Sequence, residues 1–267
     1  MKKFGRSGVL PLLAVLFSAI MIFSCKNMQI GKDAKEKESF LEVGGDSSLV
    51  IYTPHFRDVD LVCGKMPDYQ VDTDILLCCE AAFTGELLEE FSHSNIAGNH
   101  MSGGVFYQGY DCADNTGEFV SDGRRWTFSL LKRKSGDEPF AESLMPNGLN
   151  ATDVNERPLK MGFGQNMIIY DFKTQPRFRD RLPDGRYYFR SLCSLNGELC
   201  IVDSKQEIRY AEYVELLEKL GVQFALYLDM GSGWNHSWYR KKAGEDVTVI
   251  HPWIEKCKFT TNWIVFR

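Results

Sequence analysis

The residues best placed to do chemistry follow one apolar run. Val222-Gln-Phe-Ala-Leu-Tyr-Leu228 leads straight into Asp229-Met-Gly-Ser-Gly-Trp-Asn-His236. A buried strand that ends in an aspartate and two glycines delivers a carboxylate at a sheet's end, beside backbone that can approach a ligand closely. A turn-forming aspartate bonding its own backbone is the competing reading. Gly231 and Gly233 let the loop offer N–H groups to an anion, and Ser232 lies between them. Asn235 and His236 add hydrogen-bonding groups, and a histidine titrates close to neutral pH. Trp234 and Trp238 flank them and can stack on a sugar face or simply cap a core.

The elements that position this loop are legible around it. Asn196-Gly197 is a strong hairpin signal, because both central residues of a type I′ turn need positive φ. Counting outward pairs Leu195 with Glu198, Ser194 with Leu199 and Cys193 with Cys200. Opposed residues lie about 4.5–5.5 Å apart, within reach of a disulfide, so a Cys193–Cys200 bond and two buried thiols both remain open. Next, Ser204-Lys-Gln-Glu207 has the pattern of a capping box, Ala211, Val214, Leu217 and Leu220 fall on one helical face, and Gly221 suits the C-terminal cap. A weaker helix is expected from Gly85 to Phe91.

Elsewhere short β-rich segments dominate. They run over 48–53, 59–63, 74–79, 126–131, 166–171, 187–193, 199–202, 223–228, 247–250 and 262–266, several of them bounded by Gly, Pro, Asp or Asn. The expected class is α+β, a mixed and largely antiparallel sheet with a few packed helices in a single domain.

The N-terminus reads as an export signal. Lys2, Lys3 and Arg6 precede an uncharged run from Val9 to Phe23, too short to span a bilayer comfortably, which ends in Ser24-Cys25. A small residue before a cysteine looks like the lipobox of lipoproteins, so residues 1–24 are expected to be a signal peptide and Cys25 the lipidated residue. From Lys26 to Ser48 the chain is polar and almost free of apolar side chains, the composition of a tether that cannot offset its ordering entropy. The expected organisation is therefore 1–24 signal, 25–48 acylated Cys and flexible tether, and 49–267 folded domain. A periplasmic or cell-surface location in the envelope follows, with the membrane a partner through the lipid anchor.

Formal net charge is −5 over 267 residues, and the basic leader, once removed, leaves the remainder more acidic still. Nucleic acid is thus an unfavourable partner. The five histidines, at 55, 93, 100, 236 and 251, show no H-E-x-x-H or Cys/His ligand spacing, so no metal is indicated. Neither a Walker nor a dinucleotide fingerprint nor a G-x-S-x-G elbow is present, and no cofactor is expected.

The helix ending in Leu220-Gly221, the strand after it and Leu228-Asp229-Met-Gly-Ser-Gly233 together resemble the signature of the phosphodiester glycosidase family, which includes the mannose-6-phosphate uncovering enzyme. Further similarities follow in the family's order. They are Glu80-Ala-Ala-Phe-Thr-Gly85, Ile96-Ala-Gly-Asn-His-Met-Ser-Gly-Gly-Val-Phe106, Arg190 ahead of the hairpin, and Thr261-Asn-Trp-Ile-Val-Phe266. The family's triple glycine after Asp is here Met230, Gly231 and Ser232.

The resemblance implies hydrolysis of a sugar linked through C1 to a phosphodiester, with a carbohydrate or sugar-phosphate ligand. It makes Asp229 the catalytic candidate, as general base or stabiliser of charge at the sugar ring, and His236, from its place in the same loop, is a further catalytic candidate able to shuttle a proton. Arg190 is implied as the phosphate-holding fork. Thr84, Gly98, Gly104, Gly231, Ser232, Gly233 and Asn235 are implied substrate contacts. The same scaffold can instead bind a surface glycan without cleaving it.

Overall fold

The computed structural model describes residues 38–86, 90–133, 141–142, 158–175, 185–230, 236–252 and 262–267. The expected leader, Cys25, and the loop residues Gly231, Ser232, Gly233, Trp234 and Asn235 lie outside the described residues.

The first strands are β1 (Phe40–Gly45), β2 (Leu49–His55), β3 (Val59–Cys63), β4 (Leu77–Glu80), β5 (His100–Ser102), β6 (Val105–Tyr107), β7 (Gly117–Ser121) and β8 (Trp126–Leu130). After a small ribbon of β9 (Lys132–Arg133) and β10 (Ala141–Glu142) come β11 (Met161–Gln165), β12 (Met167–Tyr170), β13 (Lys173–Thr174), β14 (Arg190–Leu195) and β15 (Glu198–Ser204). Helix α1 (Tyr210–Leu220) precedes β16 (Phe224–Tyr227), β17 (His236–Tyr239), β18 (Thr248–Pro252) and β19 (Asn262–Phe266).

Apart from the ribbon, these strands form three sheets, ordered β1-β2-β15-β14-β16-β12-β13, β6-β5-β11-β7-β8 and β18-β17-β4-β19-β3. Their ladders are antiparallel. The inner faces meet in one apolar cluster that takes Leu61 from β3, Cys79 from β4, Phe119 from β7, Phe163 from β11, Leu192 from β14, Leu226 from β16 and Ile264 from β19. Fully burying a side chain of this size contributes roughly 1.5–3 kcal/mol, so the three sheets stabilise one another through a shared interior.

This architecture corrects the expected α+β class. The fold is β-rich, and α1 is the one α-helix among the described residues. It covers the outer face of the seven-stranded sheet, setting Tyr213, Val214 and Leu217 against Cys193, Val202 and Ala225. Left-handed Gly221 (φ 79°) closes its C-terminus and donates to the carbonyls of Glu218 and Leu217. Its start differs from the Ser204 capping box. Ser204 belongs to β15, where its N–H donates to Phe189 O and its Oγ accepts from Phe189 N, both at 2.9 Å. The ladder claims the residue before a helix can, and the helix begins at Tyr210. The weaker helix is not seen in the described part of Gly85–Phe91, where Gly85, Glu86 and Glu90 are bends. Nor is all of 25–48 a tether, since β1 pairs with β2 over Phe40–Gly45.

The β14–β15 hairpin has the register counted from its turn, with Cys193 opposite Cys200. Asn196 and Gly197 both take positive φ, 53° and 82°. Both cysteines are free buried thiols. No helix among the described residues is long and apolar enough to cross a membrane.

Candidate functional site

Asp229 emerges where several strand ends converge. Its N–H donates to Ala81 O at 3.0 Å, and its Oδ2 accepts from Thr84 N–H at 3.3 Å. Thus the carboxylate exits β16 and lands on the turn that follows β4. That turn is held from the opposite side by Asn262, the first residue of β19. Its Oδ1 accepts from Ala82 N–H at 2.7 Å and its Nδ2 donates to Ala82 O at 2.9 Å. A third segment closes the arrangement, with Thr84 bridging Ile96 and Ala97 N–H donating to Phe83 O. Strands distant in sequence therefore fix the position of one carboxylate.

Phenols stand in the field of that charge. Burial raises the pKa of Tyr110 to about 12, with nearby negative groups including Asp229 adding to the effect. Tyr227 is pushed up by burial and then by Asp229. Both hydroxyls stay protonated at neutral pH, and that of Tyr110 can donate to a ligand oxygen. Thr84, Tyr110, Tyr227 and Met230 are all half-buried, and Gly85 is exposed, so Asp229, itself only 4 % exposed, borders residues that reach solvent.

Arg190 lies next to this cluster through its backbone, its carbonyl accepting from Leu228 N–H at 3.0 Å, but its implied role as a phosphate fork is corrected. Its side chain is fully buried. Nε and Nη2 each donate to one oxygen of Asp203 at 2.7 Å, Nη1 donates to Ser237 Oγ, and Glu80 lies 3.6 Å away. The fork that matches two phosphate oxygens is closed on a carboxylate of the same protein. Glu80 extends the network, its two oxygens accepting from His236 N–H and from Ser237 Oγ–H. Burial nevertheless raises the Glu80 pKa against the opposing pull of Arg190. By bonding the start of β17, Glu80 fixes where the chain returns after leaving Asp229. Arg190, Glu80, Asp203 and Ser237 together fix the start of β17.

The remaining candidates divide. Thr84 is in the Asp229 cluster through its backbone. His236 is 1 % exposed, and burial lowers its pKa. Its ring nitrogens have no hydrogen-bond partner among the described residues, and its ring lies 6.5 Å from Tyr69, so a proton-shuttling role is not met by this placement. Gly98 donates its N–H to Tyr110 O, and a Cβ there would meet Asn115 Nδ2 at 2.4 Å. Its absent side chain serves packing. Gly104 is an exposed residue of the β5–β6 turn whose N–H is taken by Lys160 O. Neither glycine offers a free N–H to substrate.

Asn262, Tyr110, Tyr227 and Glu80 were not among the residues singled out for chemistry. Asn262 carried the clearest signal, a lone amide opening an otherwise apolar closing strand. A second cluster was invisible to spacing, for Cys63, His93 and His100 bring their ligand atoms within 4.8 Å of one another. A scan against protein-family models gives no match for this chain, and a search of curated proteins gives none either.

Proposed function

We propose that this chain is an exported, lipid-anchored hydrolase that cleaves a sugar 1-phosphodiester in a glycan or envelope polymer, with Asp229 as its acting carboxylate. One observation carries the reading. The carboxylate at the end of β16 is held by Thr84 of a turn that Asn262 brackets, beside two protonated phenols. Such a group can take a proton from an attacking water or stabilise the cationic character that develops at an anomeric carbon. Tyr110 supplies a donor for a sugar or phosphate oxygen, the part first assigned to Arg190. Water adds to the sugar, the glycosidic bond to phosphate oxygen breaks, and a free sugar and a phosphomonoester leave.

The test is to incubate the purified protein with a panel of sugar 1-phosphodiesters that varies sugar and leaving group. Release of a free reducing sugar together with one equivalent of phosphomonoester is expected. If no member of a broad panel is cleaved, hydrolysis is excluded for this chemistry.

A second reading, glycan binding without turnover, is favoured by one specific feature. Arg190 is saturated by Asp203 and Ser237, which leaves no guanidinium from this hairpin for a phosphate. Calorimetric binding of glycans with no product over long incubation would select it.

A further inference from the structure

We infer that Cys63, His93 and His100 form a binding site for a divalent transition-metal ion of borderline softness, zinc being the natural occupant, with one coordination position left for water or a ligand. Cys63 ends β3, His100 begins β5, and His93 opens the short 3-10 turn His93–Asn95 between them. Each contributes one ligand atom, and these atoms lie within 4.8 Å of one another. A thiolate and two imidazoles are a donor set that zinc accepts, and three protein ligands leave its fourth tetrahedral position open.

The orientation of the rings favours coordination. His100 Nδ1 lies 3.3 Å from Gly98 O and His93 Nδ1 lies 2.9 Å from His100 Nε2. Donation from His100 Nδ1 to Gly98 O places the lone pair of His100 on Nε2, facing the cluster, and a backbone carbonyl behind a ligating imidazole is a common second partner in metal sites. Tyr107 stacks on His93 with ring centroids 3.4 Å apart and 6° between planes, and Phe91 meets the same ring edge-on at 4.8 Å. Ser102 Oγ, near the Cys63 thiol, donates to Leu61 O at 2.6 Å. The two imidazoles are therefore oriented by their own surroundings. His100 is buried, whereas Cys63 and His93 are half-buried, which leaves a side from which an ion can enter.

Without an ion, His93 Nδ1–H donates to His100 Nε2, and a thiol at neutral pH carries its proton. Loading requires His93 to shift to its Nε2–H tautomer, Cys63 to lose its proton to solvent, and the two nitrogens to separate from 2.9 Å to about 3.4 Å, the edge of a tetrahedron with zinc–nitrogen bonds of about 2.0–2.1 Å. One proton is released per ion bound at neutral pH.

The site adjoins the Asp229 cluster along the chain. Cys63 pairs with Asn262 in the β3–β19 ladder, and Ile96, between the two histidines, bridges Thr84. Its test is independent of any hydrolytic activity.

The full chain, stripped with a chelator, is titrated with Co²⁺ and followed by absorption, then with Zn²⁺ by competition against a chromophoric chelator, while a pH indicator counts protons. One equivalent of cobalt with a thiolate charge-transfer band and tetrahedral d–d absorption is expected, together with release of about one proton per ion. Cys63→Ser should abolish the charge-transfer band, and His93→Gln, at a half-buried ring, should weaken binding at least tenfold. A Cys112→Ser control should retain both. A wild-type titration without a thiolate band, or a band that survives Cys63→Ser, overturns the site.

Discussion

Asp203 and Asp229 are both carboxylates near strand ends, 3 % and 4 % exposed, yet they keep opposite company. Asp203 is gripped at both oxygens by Arg190, and the partners around that pair, Glu80 and Ser237, are sealed from solvent. Asp229 rests on a backbone N–H of a half-buried turn among phenols that reach the surface. The contrast shows that a charged residue's type and fractional burial do not define its role. The sealed ion pair is a brace that sets the start of β17, whereas the carboxylate bordered by half-buried neighbours is the group in a position to meet a ligand.

The largest effect should come from breaking the brace. Arg190→Ala strands Asp203 and Glu80 as uncompensated buried charges, and a loss of about 3–5 kcal/mol in unfolding free energy is expected. Denaturant titration checks this, and a change under about 1 kcal/mol would mean that Arg190 is not the brace described. Next in size is Asn262→Ala, which removes both hydrogen bonds to Ala82 and orphans two backbone groups. It should cost about 1–3 kcal/mol and, in hydrogen exchange, should selectively expose the Ala82–Thr84 turn. Unchanged protection there would detach Asn262 from the site.

A smaller effect sharpens the boundary between the regions at His236, whose backbone belongs to the brace while its ring lies near Tyr69. Burial holds the ring's pKa below its ordinary value. Below about pH 6.5 the unfolded chain therefore binds a proton that the folded ring refuses, and stability falls as pH drops toward the folded-state pKa, by at most about 1.4 kcal/mol per unit. Above that range the contribution is fully present. Urea midpoints for wild type and His236→Gln at pH 7 and pH 5.5 should converge in slope for the variant. Equal pH dependence in both proteins would place the ring in contact with water.

Much of the fold was legible because local rules decided it. Each of the ten expected β segments overlaps a strand, and the Asn196-Gly197 turn set the β14–β15 register residue by residue. What escaped was decided by pairing at a distance. Gly117–Ser121 and Met161–Gln165 carry glycines that weaken any local strand signal, yet they pair along their full lengths inside the second sheet. Non-local pairing with Leu49 also kept Ser204 in a ladder despite its capping pattern, whereas Phe40–Gly45 left the polar tether through a local hairpin with β2. At the site, Asp229 followed from a strand running into glycine. The fate of Arg190 did not, because only the facing β15 and the separate sheet bearing Glu80 and Ser237 reveal that its fork is closed. Cys63, His93 and His100 likewise have no spacing to betray them, being joined only when β3 and β5 meet.

The most direct test of the account pairs two readings on one variant, Asp229→Asn. The amide oxygen can still accept from Thr84 N–H, so unfolding free energy should change by less than about 1 kcal/mol, while release of sugar from a cleaved 1-phosphodiester should fall by about 10²–10⁴-fold. Full turnover in a stable Asp229→Asn protein would contradict the account, as would a loss of stability large enough to make Asp229 a second brace.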